Sequence, residues 1–162
     1  MVSSTDEIAK RAYTFGIVAG LRSLTPLALL AFRRNQAPDS AGWKNWPVLS
    51  SDRGRKILLA AAAGELIMDK LPNTPSRLKP LSLFGRVTLG SIAGAAIGSE
   101  AEGGGEVLPG AIAGAAGGLV GSFGGFLVRK VLTKVFRLPD KLVALSEDGV
   151  AIAAAAHVTR LD

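Results

Sequence analysis

Apolar residues form five runs along the chain, separated by polar or proline-containing connections. The first, third and fourth runs have roughly the 20 residues that an α-helix needs to cross a bilayer, whereas the second and fifth are shorter. The pattern predicts an all-α integral membrane protein, a compact bundle of about five helices, some short or broken, in a single membrane domain over residues 1–162. The runs cover residues 8–32, 57–71, 81–99, 107–128 and 149–158.

Glycine recurs at four-residue intervals through the third and fourth runs, which form a central helical hairpin. This spacing places small residues in one row, so that two helix backbones can approach closely. In water each helical glycine costs roughly 1 kcal/mol relative to alanine, but glycine-rich helices persist in lipid, where unfolding would leave backbone groups unpaired. We expect helix packing, rather than pore lining, from Gly90, Gly94, Gly98, Gly110, Gly114, Gly118, Gly121 and Gly125.

The charged connections leave two topologies open. Residues 129–137 continue the fourth helix as a basic tail, and the turn at 100–106 is acidic. Loops rich in Lys and Arg stay on the cytoplasmic side, which assigns both 33–56 and 70–86 to the cytoplasm. In one topology this short run and the final short helix are both re-entrant or interfacial, which leaves three full spans. In the other the run is a thin span, which gives five helices and an inverted repeat around the third.

Two short internal matches bear on that repeat. The pattern GIVAG…F at 16–32 parallels GAIAG…F at 110–126, and AAAA at 60–63 parallels AAAA at 153–156. Alanine and glycine also coincide by chance, so a duplication and a chance match are both open.

Composition and charge agree with a membrane class. Hydrophobic residues make up 48% of the chain, aromatic residues 6%, and the mean hydropathy is +0.33. The net charge of +6 would suit nucleic acid, but the basic residues flank apolar runs instead of forming one amphipathic face. We therefore expect a multi-pass protein of the cell inner (plasma) membrane. Its partners would be the lipid bilayer and further copies of itself in a homo-oligomer, with no nucleic acid.

The first apolar run is interrupted by Arg22, Thr25 and Pro26. Proline suits the first turn of a new helix, which the Thr25 hydroxyl would cap, so two half-helices should meet at residues 20–25. Exposed amides beside Arg22 would suit an anion or an acidic side chain. The alternative is a proline kink in which Arg22 pairs with a carboxylate elsewhere in the bundle.

Glu65 and Asp69 are the main candidates for chemistry, because they stand one turn apart on a largely apolar helix. Two such carboxylates can share a proton or hold a hard cation, although the sequence identifies no metal. Alternatively, both lie near the helix end and pair with nearby cations. Glu147 is a weaker candidate, since it falls with Asp148 in what reads as the acidic first turn of the last helix.

Other chemistry finds little support. The chain contains no zinc-ligand spacing, phosphate loop, nucleophile elbow or dinucleotide fingerprint, so we expect neither a cofactor nor an enzyme. His157 is the single histidine, and its position near the polar C-terminus favours no special role.

Four stretches resemble the domain of unknown function 4126 family, small and mostly bacterial multi-spanning membrane proteins. They are GLRSLTPLAL at 20–29, GELIMDKLPNTPSR at 64–77, GRVTLGSIAGAAIG at 85–98 and LVALSEDGVAIAAA at 142–155. The resemblance covers nearly the whole chain, and the Glu-x-x-x-Asp-Lys-x-Pro stretch is its most specific part. It implies membrane residence and carries no activity.

The leading functional prediction is a small-solute or ion transporter or channel, in which Arg22 and Thr25 form one wall and Glu65 with Asp69 a cation or proton site. A non-transporting structural or assembly protein is the alternative, with the same charges as internal ion pairs. A lipid-acting membrane enzyme, with a metal on Glu65 and Asp69, is the weaker alternative.

Overall fold

The computed structural model describes residues 5–37, 39, 41–68 and 78–159, and the structural statements below refer to these residues. Within them the chain is helical and contains no strand, so the predicted all-α class is confirmed. Three 3-10 turns lie at Arg34–Gln36, Gly42–Asn45 and Glu102–Gly104. The described α-helices are α1 (Thr5–Leu21), α2 (Thr25–Arg33), α3 (Pro47–Ser50), α4 (Asp52–Met68), α5 (Pro80–Gly98), α6 (Val107–Lys134) and α7 (Asp140–Val158).

The helix bounds differ from the predicted runs at several points. The described part of the chain has seven α-helices instead of about five, because the first run is divided into α1 and α2 and the short α3 precedes α4. The predicted last helix was to start at residue 149, but α7 starts at Asp140, directly after Pro139. Proline lacks an amide hydrogen and therefore suits a helix boundary. Residues 69–71 of the predicted second run lie outside the described residues.

The core of the fold is a group of three helices, α1, α5 and α6, which pack directly on one another. α5 and α6 are antiparallel, since Gly94 lies against Gly110 and Gly90 lies against Gly114. α1 runs parallel to α6, and the Thr5 hydroxyl at its start donates to Glu106 over 3.2 Å. The ends of these helices at residues 5 and 98–107 define one end of the molecule, which we call the acidic-turn end.

Glycine allows the backbones of the three helices to touch. A Cβ atom on Gly114 would lie 2.9 Å from the Cα of Gly94, and one on Gly20 would lie 2.7 Å from the Cα of Gly121. Such distances leave no room for any side chain at these positions. Gly98, Gly110 and Gly118 also face neighbouring backbone, whereas Gly125 is buried beside a groove between α6 and α7.

The first apolar run does not continue in one direction, because α1 and α2 form a hairpin with residues 22–24 at its tip. Arg11 of α1 and Arg33 at the end of α2 line the same small cavity. If α2 continued in the same direction as α1, Arg11 and Arg33 would stand roughly 33 Å apart at 1.5 Å per residue. The chain then stays at the acidic-turn end, where the Gly42 amide donates to Ser99 O over 3.0 Å.

The hairpin and the parallel helices exclude the inverted repeat. An inverted repeat requires residues 16–32 and 110–126 to run in opposite directions. Instead α1 and α6 are parallel, and α6 continues without interruption through the region that matches the α1–α2 break.

Gly42 and Trp43 of the polar connection bond to Ser99, so this part of the connection lies at the acidic-turn end. α4 leads away from that end. Two of the described helices, α5 and α6, are long and apolar enough to cross a membrane.

Replacing Gly114 with alanine is expected to lower the thermal stability of the purified protein in detergent. The new methyl group would collide with the α5 backbone, and overpacking of this kind costs about 1–3 kcal/mol. Gly124→Ala on the same helix is the control, because a Cβ atom there has nothing within 4 Å. Equal melting temperatures for the two variants, followed by circular dichroism, would contradict the close α5–α6 contact.

Candidate functional site

The tip of the α1–α2 hairpin is the place where charged side chains from several helices meet. α1 ends at Leu21 and α2 begins at Thr25, with Pro26 in its first turn. The turn between them is closed by a 3.3 Å hydrogen bond from the Thr25 amide to Arg22 O. A buried helix end leaves amides and carbonyls that need partners. We call residues 22–24, with Glu65, Arg86 and Asp148, the tip cluster.

Glu65 satisfies the amides at the start of α2. Its two carboxylate oxygens accept from the Ser23 amide at 2.7 Å and from the Leu24 amide at 2.9 Å. The predicted cap by the Thr25 hydroxyl was wrong, because Thr25 is the first residue of the helix and the cap residue is Leu24. Leu24 makes no capping hydrogen bond with its side chain. The predicted preference of these amides for an acidic group is met by a residue 41 positions away in sequence.

Arg86 satisfies the carbonyls at the end of α1. Its Nη1 atom donates to Gly20 O and to Leu21 O, each at 2.9 Å. The side chain is buried in α5, with 5% of the residue exposed. A cation at a helix C-terminus and an anion at an N-terminus both oppose the helix dipole. The break is therefore held by one charge of each sign, supplied by α5 and α4.

Arg22 points from the tip to α7, where it pairs with Asp148. Its Nε atom lies 2.5 Å from Asp148 Oδ1, and Nη2 contacts the same oxygen. Both residues are buried, with 0% and 6% exposed. Asp148 lies within α7 because that helix begins at Asp140, so it does not belong to a first turn. The carboxylate partner proposed for Arg22 in the proline-kink alternative is thus present.

The sequence-predicted residues are only partly brought together. Arg22, Thr25 and Glu65 meet at the tip. Glu147 is half-buried and lines the groove between α6 and α7. Its neighbour Asp148, instead of Glu147, contacts Arg22 at the tip. Asp69 lies outside the described residues.

Arg86 and Asp148 were not predicted as site residues. A charged residue inside an apolar helix is a recognisable signal, and Arg86 carried it. Asp148 was assigned to a helix start, which gave its charge an ordinary explanation.

A second charged group joins the helices at the acidic-turn end. Arg11 Nη2 lies 2.9 Å from Glu100 Oε2, and both side chains are buried. The indole of Trp43 donates to Glu100 Oε1 over 3.0 Å, and Arg11 Nε donates to Val158 O over 3.3 Å. This group fixes α1, α7 and the 42–45 turn to the end of α5.

The described residues contain no group of three or more His, Cys, Asp or Glu side chains that could hold a metal ion. The tip cluster instead consists of two guanidinium groups and two carboxylates from separate elements. Such a cluster can hold a helix break together or exchange an internal carboxylate for another anion.

Comparison of the chain with protein-family models, curated proteins and solved structures finds no match. The resemblance to the domain of unknown function 4126 family therefore stays a prediction.

Replacing Asp148 with asparagine is expected to destabilise the protein by about 3–5 kcal/mol, because it leaves the buried Arg22 charge without its counter-ion. The control is Asp140→Asn, also on α7, whose carboxylate is 62% exposed and pairs with Arg129 at 2.6 Å. An exposed pair contributes about 0–1 kcal/mol. Thermal unfolding in detergent measures both variants, and similar losses would contradict the assignment of Arg22–Asp148 as the buried pair.

Proposed function

We propose that this chain is a multi-pass membrane protein that moves a small solute or ion across the bilayer, with the tip cluster as its binding and gating site. Membrane residence is supported by the reversed pattern of α6. Its buried face carries glycine, including Gly114 and Gly121. Its outer face carries large apolar side chains, with Phe123 52% exposed and Leu127 59% exposed. Water disfavours such a contiguous apolar surface, whereas lipid accommodates it.

The two ends of the helices differ in charge, which gives the proposal an orientation. The end of α6 at residues 129–134 and the start of α5 are basic, whereas α5 and α6 are joined at their other ends by the acidic turn. Positively charged segments remain cytoplasmic. We therefore place the acidic-turn end, with Trp43 and Lys44, outside, and Lys79 and Lys130 inside, in the inner (plasma) membrane.

Single cysteines at residues 44 and 79 test this arrangement. Lys44→Cys should react with an impermeant maleimide in intact cells, and Lys79→Cys should react only after the membrane is opened. Lys130→Cys is the internal control, because it should behave like Lys79→Cys. The protein has no native cysteine, so all labelling comes from the introduced residue. Labelling of residues 44 and 79 from the same side would contradict the proposal that the chain crosses the membrane between them.

Transport is supported by one observation, the helix reversal at the tip cluster. The tip lies beside Ser122, about halfway along α6, which would be roughly 42 Å long as a regular helix of 28 residues. Transporters place substrate and coupling ions near mid-membrane, where interrupted helices expose their ends. Here those ends are occupied by Glu65 and Arg86, so the peptide groups are available to a solute only when a side chain moves.

Glu65 is carried by the helix best suited to move. Within Asp52–Met68, Ala62 is the one buried residue. α4 packs mainly against α2 and α3, whereas α1, α5 and α6 are held together by direct backbone contact. Competition by an anion would weaken the hold of Glu65 on the Ser23 and Leu24 amides and allow α4 to shift.

Flux through proteoliposomes tests the transport proposal. Glu65→Gln is expected to change the rate for protons, Na⁺, K⁺ or Cl⁻, whichever the wild type conducts, by about tenfold or more. Tenfold corresponds to about 1.4 kcal/mol, which is within the contribution of one hydrogen bond to a charged group. Glu7→Gln, at the far end of α1, should leave the rate unchanged. Equal rates for wild type and Glu65→Gln would remove Glu65 from the pathway.

A structural or assembly protein is the second candidate, and the internal pairing of the tip cluster favours it. Arg22, Arg86 and Glu65 all have partners within the fold. On this alternative the wild type conducts none of the four ions, and Glu65→Gln changes only thermal stability.

A further inference from the structure

A groove of about 430 Å³ lies between α6 and α7, on the side of the tip that faces away from the acidic-turn end. Leu21 lines the groove next to the tip, and Arg129 lines it near the start of α7. The groove exists because α1 stops at Leu21, while α6 continues to Lys134. Its volume is within the range of roughly 300–1,000 Å³ that is usual for ligand pockets.

Glu147 lies in the wall of this groove. The next residue, Asp148, contacts Arg22 at the tip, whereas Asp140 at the start of α7 bonds to Arg129 at the opposite end. Asp140 and Glu147 stand roughly 10 Å apart along α7 at 1.5 Å per residue. The groove therefore carries a carboxylate at the end nearest the tip, which we call its inner end.

The charges of the groove leave an excess of one negative charge. Among the described residues that line it, Arg129 and Glu147 are the charged ones. Arg129 is already bonded to Asp140 through hydrogen bonds of 2.8 and 2.6 Å, so the charge of Glu147 is in excess of this pair. Lys130 and Lys134 lie on the opposite face of α6 from the lining residues. The tip cluster contains two guanidinium groups and two carboxylates and adds no net charge.

The rest of the described lining is almost entirely apolar. Gly124 and Val128 on α6 and Val143 on α7 contribute to it. A Cβ atom on Gly124 would have nothing within 4 Å, so this glycine leaves space open to an occupant. The Ser146 hydroxyl donates to Val143 O over 2.8 Å. A metal cation such as Ca²⁺ needs several oxygen ligands, which the described lining does not provide.

We propose that this groove binds an amphipathic organic cation, with the cationic group beside Glu147 and the apolar body along Gly124, Val128 and Val143. The carboxylate attracts the charge, and apolar surroundings strengthen that attraction. The walls remove the apolar body from water. The excess negative charge disfavours an anionic amphiphile, and the apolar walls disfavour a small polar solute. The site is separate from the tip cluster and depends neither on transport nor on the proposed orientation, so either proposal can fail without the other.

Equilibrium dialysis of the purified protein in an uncharged maltoside detergent against octyltrimethylammonium tests the site, with protein-free micelles as the background. The wild type should retain octyltrimethylammonium in preference to octanesulfonate, which has the same chain and the opposite charge. Glu147→Gln keeps the shape of the side chain and removes its charge, so we expect it to weaken retention of the cation by about tenfold or more. Glu7→Gln, at the far end of α1, is the matched control and should bind the cation like the wild type.

Filling the groove tests the apolar part of the site. Gly124→Leu should weaken retention of octyltrimethylammonium, because its side chain would occupy the space of the apolar body. Gly85→Leu is its control and should not, since this α5 glycine does not line the groove and a Cβ atom on it also has nothing within 4 Å. If Gly124→Leu fails to fold, Glu147→Gln still decides.

Three results would overturn the proposal. The first is equal retention of the cation by the wild type and Glu147→Gln, or equal retention of the cation and octanesulfonate by the wild type. The second is a phospholipid that copurifies with the wild type and is not displaced by the cation, which would favour an acyl chain as the occupant. The third is a wild-type dimer that Gly124→Leu dissociates, which would favour a second copy of the chain.

Discussion

Peptide groups at a buried helix end must find partners, and the architecture around the α1–α2 hairpin follows from that requirement. The chain reverses at residues 22–24, where α1 presents carbonyls and α2 presents amides. Arg86 meets the carbonyls and Glu65 meets the amides, while Arg22 is held by Asp148. Because an unpaired polar group buried in apolar surroundings costs several kcal/mol, these contacts fix α4, α5 and α7 around a single point.

The glycine helices provide the rigid part against which that point is held. α6 touches α5 and α1 through backbone atoms, so the three helices cannot slide without collision. α4 is not part of this core, since it packs mainly against α2 and α3, and it brings Glu65 to the tip from outside. A rigid core with a less tightly packed helix that carries a charged group is what a gated pathway requires. The same geometry without motion would serve only as a support, and ion flux separates the two.

Because α1 ends at Leu21, it leaves space between α6 and α7 on the side of the tip that lies away from the acidic-turn end. α6 and α7 continue past the tip and leave an apolar groove of about 430 Å³, which is lined by both helices and by Leu21. Thus one reversal of the chain produces both the charged cluster at its tip and the apolar space beyond it. The two features are connected through Leu21, which ends α1 and closes the groove.

The sequence by itself determined the helical class, the glycine contacts and the interruption near Pro26, because each depends on local spacing or on the backbone chemistry of one residue. It also marked Arg22 and Glu65, since charge within an apolar run is visible without a structure. The direction of α2, the pairing of Arg22 with Asp148 instead of a contact with Glu147, and the role of Arg86 were decided by tertiary structure. They depend on which helices are neighbours and on how far each is displaced along its axis relative to the others. Arg22 and Asp148 are 126 positions apart in sequence, so no local pattern signals their contact.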